Sequence, residues 1–208
     1  MIMHKFDVRK TGIDPANASR ALILLHGRGA TAENILPLAG YFTGESWHVA
    51  APQATNFQWY PYSFMKPASQ NEPWLSSAVD YIGKVIEDIS VHIAMENIYL
   101  MGFSQGACLS AEVAARSATR YGGIAVFTGG LVGEKIDPDN YRGDFGGTRI
   151  YISNGDNDPH IPLARSEETF NLLDSMGADA RLDVFPGREH TITQDEMEKA
   201  RDFIFKTL

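Results

Sequence analysis

The sequence predicts an α/β protein, a mostly parallel and doubly wound sheet flanked by helices. Three observations point there. Apolar runs of strand length alternate with segments of helical period along the chain. Several of those runs are almost continuously apolar, as suits strands buried on both faces. The length, 208 residues, suits one core of ordinary size with no room for a second. A single domain over 1–208 is therefore expected.

The elements follow in order. Phe6–Val8 reads as an edge strand. Ala21–His26 (ALILLH), Trp47–Ala51, Asn97–Gly102 (NIYLMG), Gly123–Thr128 (GIAVFT), Thr148–Ser153 and Arg181–Phe185 read as the other strands. Among the helices, Glu72–His92 is the clearest, because Trp74, Leu75, Ala78, Val79, Ile82, Val85, Ile86 and Ile89 form one apolar stripe. Asp80, Glu87 and Asp88 fall on its wet face. Gln105–Ser117 is rich in small residues and can sit close against the sheet. Leu163–Met176 ends at Gly177, a natural stop. The last helix begins near Thr193, where Thr193 and Glu196 have the spacing of a capping box. The one long irregular stretch is an aromatic loop insertion at about 53–71, containing FQWYPYSFMKP.

Composition narrows the function. The net charge is -8 and no basic run appears, which argues against nucleic acid. No stretch is long and apolar enough to span a bilayer, so stable membrane insertion is not expected. The N-terminal MIMHKFDVRKT lacks the apolar core of a secretory signal, and a cytoplasmic location is the simplest expectation. Cys108 is the single cysteine, so no disulfide or cysteine metal cage can form within the chain. It reads as a small buried hydrophobe. No metal or cofactor fingerprint is present, and neither is expected. A monomer or homodimer acting on a small molecule fits these limits.

Gly102-Phe103-Ser104-Gln105-Gly106 matches G-x-S-x-G. It follows the strand NIYLMG directly and opens the helix QGACLSAEVAARS, which is the context a nucleophile elbow requires. The turn is too tight for bulky neighbours, hence the flanking glycines. The plain alternative is a Gly-rich strand-to-helix turn with a bystander serine. A serine hydroxyl needs a base within hydrogen-bond reach. Of six histidines, His4, His48 and His92 read as surface or packing residues. His26 follows a buried strand in LHGRG and His160 sits in DPHIP. His190 lies in PGREH, between the last strand and the last helix, where the order Ser, acid, His places the base. The acid belongs on the loop after Thr148–Ser153, and Asp156 and Asp158 compete for the role. Asp158 precedes a proline that restricts its backbone, whereas Asp156 could cap the turn. The oxyanion donors would be the backbone N–H groups of Gln105 and Arg28, the latter in the glycine-rich loop His26–Gly29. The Arg28 side chain reads as solvated or paired with a surface carboxylate. In the aromatic insertion, Trp59 and Phe64 are candidates to line an apolar groove for substrate, with Ile161 beside them. The alternative is that these rings form a local mini-core.

Taken together, LLHGRGA at 24–30, APQA at 51–54, GFSQGACLS at 102–110, NGDNDPHIP at 154–162 and PGREHTI at 186–192 resemble the phospholipase/carboxylesterase family, which includes the acyl-protein thioesterases. The resemblance covers nearly the whole chain. It implies the α/β-hydrolase fold, a cofactor-free serine esterase, Asp158 as the triad acid, and oxyanion donors at Arg28 and Gln105. Three positions depart from the family's usual pattern: Ala30 after Gly29, Ala107 after GFSQG, and Glu189 before the histidine.

The expected activity is hydrolysis of carboxylic esters, with lysophospholipids or acyl thioesters as related substrates, through an acyl-enzyme on Ser104. The rivals are an acyltransferase or dienelactone-type hydrolase on the same fold, and a non-catalytic binding protein. The dienelactone type usually carries cysteine at the elbow, and Ser104 speaks against it.

Overall fold

The structure, a computed structural model, describes residues 3–205. In chain order its main elements are β1 (Val8–Gly12), β2 (Arg20–Leu25), α1 (Ala32–Ile35), β3 (Trp47–Pro52), α2 (Trp74–Ser90), β4 (Ile98–Phe103) and α3 (Gln105–Arg116). Then follow β5 (Gly123–Phe127), β6 (Arg149–Gly155), α4 (Leu163–Ser175), β7 (Asp179–Phe185) and α5 (Gln194–Phe205). The strands form one sheet of order β1-β3-β2-β4-β5-β6-β7. All neighbours are parallel except β1, which runs antiparallel to β3.

The alternation of side chains along each strand feeds two cores. On β2, Ala21, Ile23 and Leu25 face the cluster shared with Ile82 of α2, Leu109 of α3 and Leu173 of α4. Leu22 and Leu24 face the other side, where Ile35 of α1 and Met197 and Ile204 of α5 pack. The central strands are thus buried on both faces, which is why they read as unbroken apolar runs. The stripe on α2 faces the sheet, leaving Asp80, Glu87 and Asp88 exposed. At the end of α4, Gly177 adopts φ 82°, the left-handed conformation that stops the helix.

Two expectations change. The edge strand lies at Val8–Gly12, not Phe6–Val8. Its residues Arg9, Lys10 and Thr11 are exposed, so no apolar pattern announces it, and such charges suit an edge that must not pair further. Phe6 instead lies outside the strand, against Tyr81 at 5.3 Å between ring centroids. The second change is another long irregular connection, 128–148, between β5 and β6. It runs partly inside the protein, with Leu131 and Phe145 fully buried. Buried backbone needs partners. The buried Arg165 guanidinium supplies them by donating to the carbonyls of Leu131, Gly133 and Glu134.

Candidate active site

The site gathers at the C-terminal ends of the strands. Ser104 stands between β4 and α3 with φ 55° and ψ -119°, a backbone region that costs a non-glycine residue about 1–3 kcal/mol. Two bonds hold it there. Its N–H donates to the carbonyl of Phe127 at 3.0 Å, and its carbonyl accepts from the N–H of Cys108 at 3.0 Å. The flanking glycines are required by contact. A Cβ on Gly102 would fall 2.3 Å from the Gly106 carbonyl oxygen, and one on Gly106 would fall 2.1 Å from that of Leu25. Helix α3 can therefore start hard against the sheet, with its N-terminus behind the serine.

His190 reaches Ser104 from the loop between β7 and α5. Its Nε2 lies 2.8 Å from the Ser104 Oγ, and its Nδ1 lies 2.7 Å from the Asp158 Oδ2. The carboxylate accepts from Nδ1–H, which leaves Nε2 as the acceptor for the serine hydroxyl. The other oxygen of Asp158 accepts the N–H groups of His160 at 2.8 Å and Ile161 at 3.0 Å. Burial pushes the Asp158 carboxyl up. The bonds from His190, His160 and Ile161 outweigh that and hold it below the usual carboxylate range. Asp156 does something else: it accepts the Gly187 N–H and so ties the loop after β6 to the loop that carries His190. The imidazole of His190 also packs against Phe103 and meets His160 edge-on at 4.8 Å.

The backbone N–H groups of Arg28 and Gln105 donate to no protein acceptor among the described residues. Their side chains have a separate task. Arg28 is exposed, as expected, but among the described residues it pairs with no carboxylate: its guanidinium donates to the carbonyls of Pro61 and Tyr62 and to the Gln58 side chain. Gln105 accepts the Trp59 N–H and donates to the Tyr60 carbonyl. Both residues thus clamp the aromatic insertion over the site.

A cavity of about 430 Å³ opens beside Ser104 and His190. Its walls include Tyr60, Phe64, Cys108 and Ile161, with Tyr62 and His160 at its sides. Trp59 does not line it, and the expectation of a groove residue there is corrected. The indole is fully buried, its Nε1–H donates to the His26 carbonyl at 2.9 Å, and its ring packs with His4, His26 and Tyr81. The mini-core alternative holds for Trp59, while Phe64 and Ile161 reach the cavity. His26 is a fully buried structural residue. It accepts the Ala54 N–H at Nε2, and burial lowers its pKa. Cys108 is buried, which pushes its thiol up to about 11. That suits a wall residue rather than a second nucleophile.

Two charged residues near the site carry more than their sequence pattern showed. Glu196 forms the expected capping box with Thr193. It is also fully buried, accepts the Ser153 hydroxyl, and lies 3.2 Å from the Arg188 guanidinium. The capping signal masked this second task, and nothing in PGREH marks Arg188 as buried.

Comparison with known proteins gives a consistent picture. A model of the phospholipase/carboxylesterase family matches residues 12–208. The crystal structure of a phospholipase/carboxylesterase from Dyadobacter fermentans superposes with a TM-score of 0.95 at 44% identity, covering 99% of each chain. Acyl-protein thioesterase 1 of Saccharomyces cerevisiae is 27% identical over 92% of this chain and 94% of that protein. Acyl-protein thioesterase 1 of Gibberella zeae is 27% identical over 59% of this chain, an alignment spanning 53% of that relative's length.

Proposed function

The chain belongs to the phospholipase/carboxylesterase family of α/β hydrolases, and from that premise we propose that it is a serine carboxylesterase working through an acyl-enzyme on Ser104. One observation carries the reading: the unbroken hydrogen-bond relay from Ser104 Oγ through His190 to the Asp158 carboxylate, at 2.8 and 2.7 Å. The Ser104 oxygen attacks the ester carbonyl while Nε2 of His190 takes its proton. Asp158 holds the imidazole in the correct tautomer and stabilises the imidazolium. The free N–H groups of Arg28 and Gln105 receive the oxyanion. His190 then returns the proton to the leaving alcohol, and water releases the acyl group by the same path.

The cavity supports short to medium acyl chains, since about 430 Å³ lies toward the lower end of small-molecule sites. Acyl thioesters and lysophospholipids present the same carbonyl to the same relay and are the related substrate classes. Among the described residues no helix is long and apolar enough to cross a membrane. A fluorophosphonate probe, with mass mapping of the adduct, tests the reading directly. Labelling is expected on Ser104, together with turnover of p-nitrophenyl butyrate that falls by up to ~10⁶-fold in Ser104→Ala. A folded Ser104→Ala protein that kept more than about a tenth of wild-type turnover would refute the assignment.

A further inference from the structure

We infer that Arg188 is a positioning residue for the base: a buried guanidinium clasp that fixes the peptide segment carrying His190, anchored from behind by Glu196. The inference rests on the proposed role of His190 in the Ser104 relay.

The geometry is specific. Arg188 stands two residues before His190, and its side chain is only 6% exposed, turned into the protein rather than into solvent. One terminal nitrogen, Nη1, donates to the carbonyls of Glu189 and Thr191, the two residues that flank His190. The other, Nη2, faces the fully buried Glu196 carboxylate at 3.2 Å. Glu196 is itself immobilised. Its Oε1 accepts the Ser153 hydroxyl at 2.8 Å, and its Oε2 accepts the N–H and hydroxyl of Thr193 at 2.8 and 3.0 Å. Ser153 belongs to β6 and Thr193 immediately precedes α5. The clasp therefore refers the histidine loop to strand β6 and to the start of a helix at once. The Arg188 backbone also packs close against β6, where only a glycine fits, because a Cβ on Gly155 would lie 2.0 Å from its carbonyl oxygen.

The loop needs such a device. His190 sits on a segment without regular structure, between β7 and α5, yet its Nε2 must stay within hydrogen-bond reach of Ser104. A misplacement of about 1 Å in such a relay can cost on the order of 100-fold in rate. A planar guanidinium can donate to two carbonyls through one nitrogen while it sets another against a carboxylate as an ion pair. A lysine ammonium can hold part of that set, but not in one plane. The pairing with Glu196 also balances the buried charge, so the clasp adds no net cation beside an imidazole that must accept a proton.

Arg188→Met, Arg188→Lys and Glu196→Gln test the inference in the full-length protein. Turnover of p-nitrophenyl butyrate is counted per active site titrated with a fluorophosphonate, so that unfolded molecules drop out. Arg188→Met is expected to lower kcat by about 10- to 100-fold with KM changed by less than about threefold. Arg188→Lys should recover part of that loss. The downfield proton resonance of the His190–Asp158 hydrogen bond should broaden or vanish in Arg188→Met while far-ultraviolet dichroism is retained. An Arg188→Met protein whose titrated sites turn over within about twofold of wild type overturns the inference. If Arg188→Met does not fold, Glu196→Gln decides, because it keeps the shape of the anchor and removes its charge. A kcat loss of at least about threefold with normal dichroism supports the clasp, and any smaller loss overturns it. Should wild-type protein fail to label at Ser104, the proposed function fails, which is a different result from labelled variants with undiminished turnover.

Discussion

Asp156 and Asp158 lie two residues apart on one loop, and their hydrogen bonds separate their tasks. Asp158 accepts from His190 and from two backbone N–H groups, whereas Asp156 accepts from Gly187 in the neighbouring loop. Asp158→Asn puts an amide where a carboxylate is needed and is expected to lower kcat by up to about 10⁴-fold. Asp156→Asn keeps an acceptor oxygen and should cost less than about tenfold. Steady-state kinetics on p-nitrophenyl butyrate separates the two, and the reverse ranking would move the acid. A second outcome concerns acid stability. The folded Asp158 carboxyl lies below its ordinary range, so its contribution to stability is present above the unfolded-state pKa near 4 and is lost as pH falls through the folded value. The melting temperature of wild type should therefore exceed that of Asp158→Asn at pH 6, and the gap should narrow toward pH 3. A gap that widened in acid would contradict the carboxylate's bonding. Ser104 and His190 were legible from sequence because each follows a strand in a fixed chain order, whereas Asp158 was set apart from Asp156 only by the proline after it and by the family resemblance. Arg188 and Glu196 were not, since their burial depends on how the loop after β7 folds back onto β6.

At the scale of the element, the aromatic insertion is both cavity wall and mini-core, and its rings divide between the two roles. Trp59 is fully buried and bonded through both its backbone N–H and its indole N–H. Trp59→Ala should cost about 3–5 kcal/mol of stability, and any loss of kcat/KM should be uniform across acyl lengths. Phe64 is also buried, but one side of its ring borders the cavity. Phe64→Ala should therefore change the ratio of kcat/KM between hexanoate and acetate esters, by roughly 10-fold if one methylene-sized contact is lost. Thermal melts run beside the ester series check both claims. A ratio that moved for Trp59→Ala and stayed fixed for Phe64→Ala would reverse the assignment. Aromatic content could not sort these rings in advance. The path of the insertion depends on long-range bonds, in which Gln105 holds the backbone of Trp59 and Tyr60 and Arg28 holds that of Pro61 and Tyr62. Buried strands were legible for the opposite reason. Burial on both faces leaves an apolar run that needs no partner to be recognised, whereas β1 at the edge leaves none.

At the scale of the whole molecule, the length predicts that the two cores fold as one domain. They are separated by the sheet, yet neighbouring residues of a single strand supply both, Ile23 to one face and Leu24 to the other. Neither face can lose its packing without releasing the strand that the other face needs. We propose a single domain with one unfolding transition. The tryptophans make this testable, because they fall on different faces. Trp47 belongs to the core that holds Met197 and Ile204 of α5, while Trp59 belongs to the core of α2 and α3, against which Trp74 also packs. In urea, a variant that keeps only Trp47 and one that keeps only Trp59 report the two faces separately by fluorescence. For each reporter, introducing Ile23→Ala and introducing Leu24→Ala should both lower the observed midpoint. Each substitution removes a fully buried side chain at about 2–5 kcal/mol, or about 4–20 °C in melting temperature for a chain of this size. Within each background, fluorescence and far-ultraviolet dichroism should give coincident curves. A Trp59 signal that responded to Ile23→Ala but not to Leu24→Ala, with the Trp47 signal doing the converse, would mean that the faces unfold independently, and the single domain would fall.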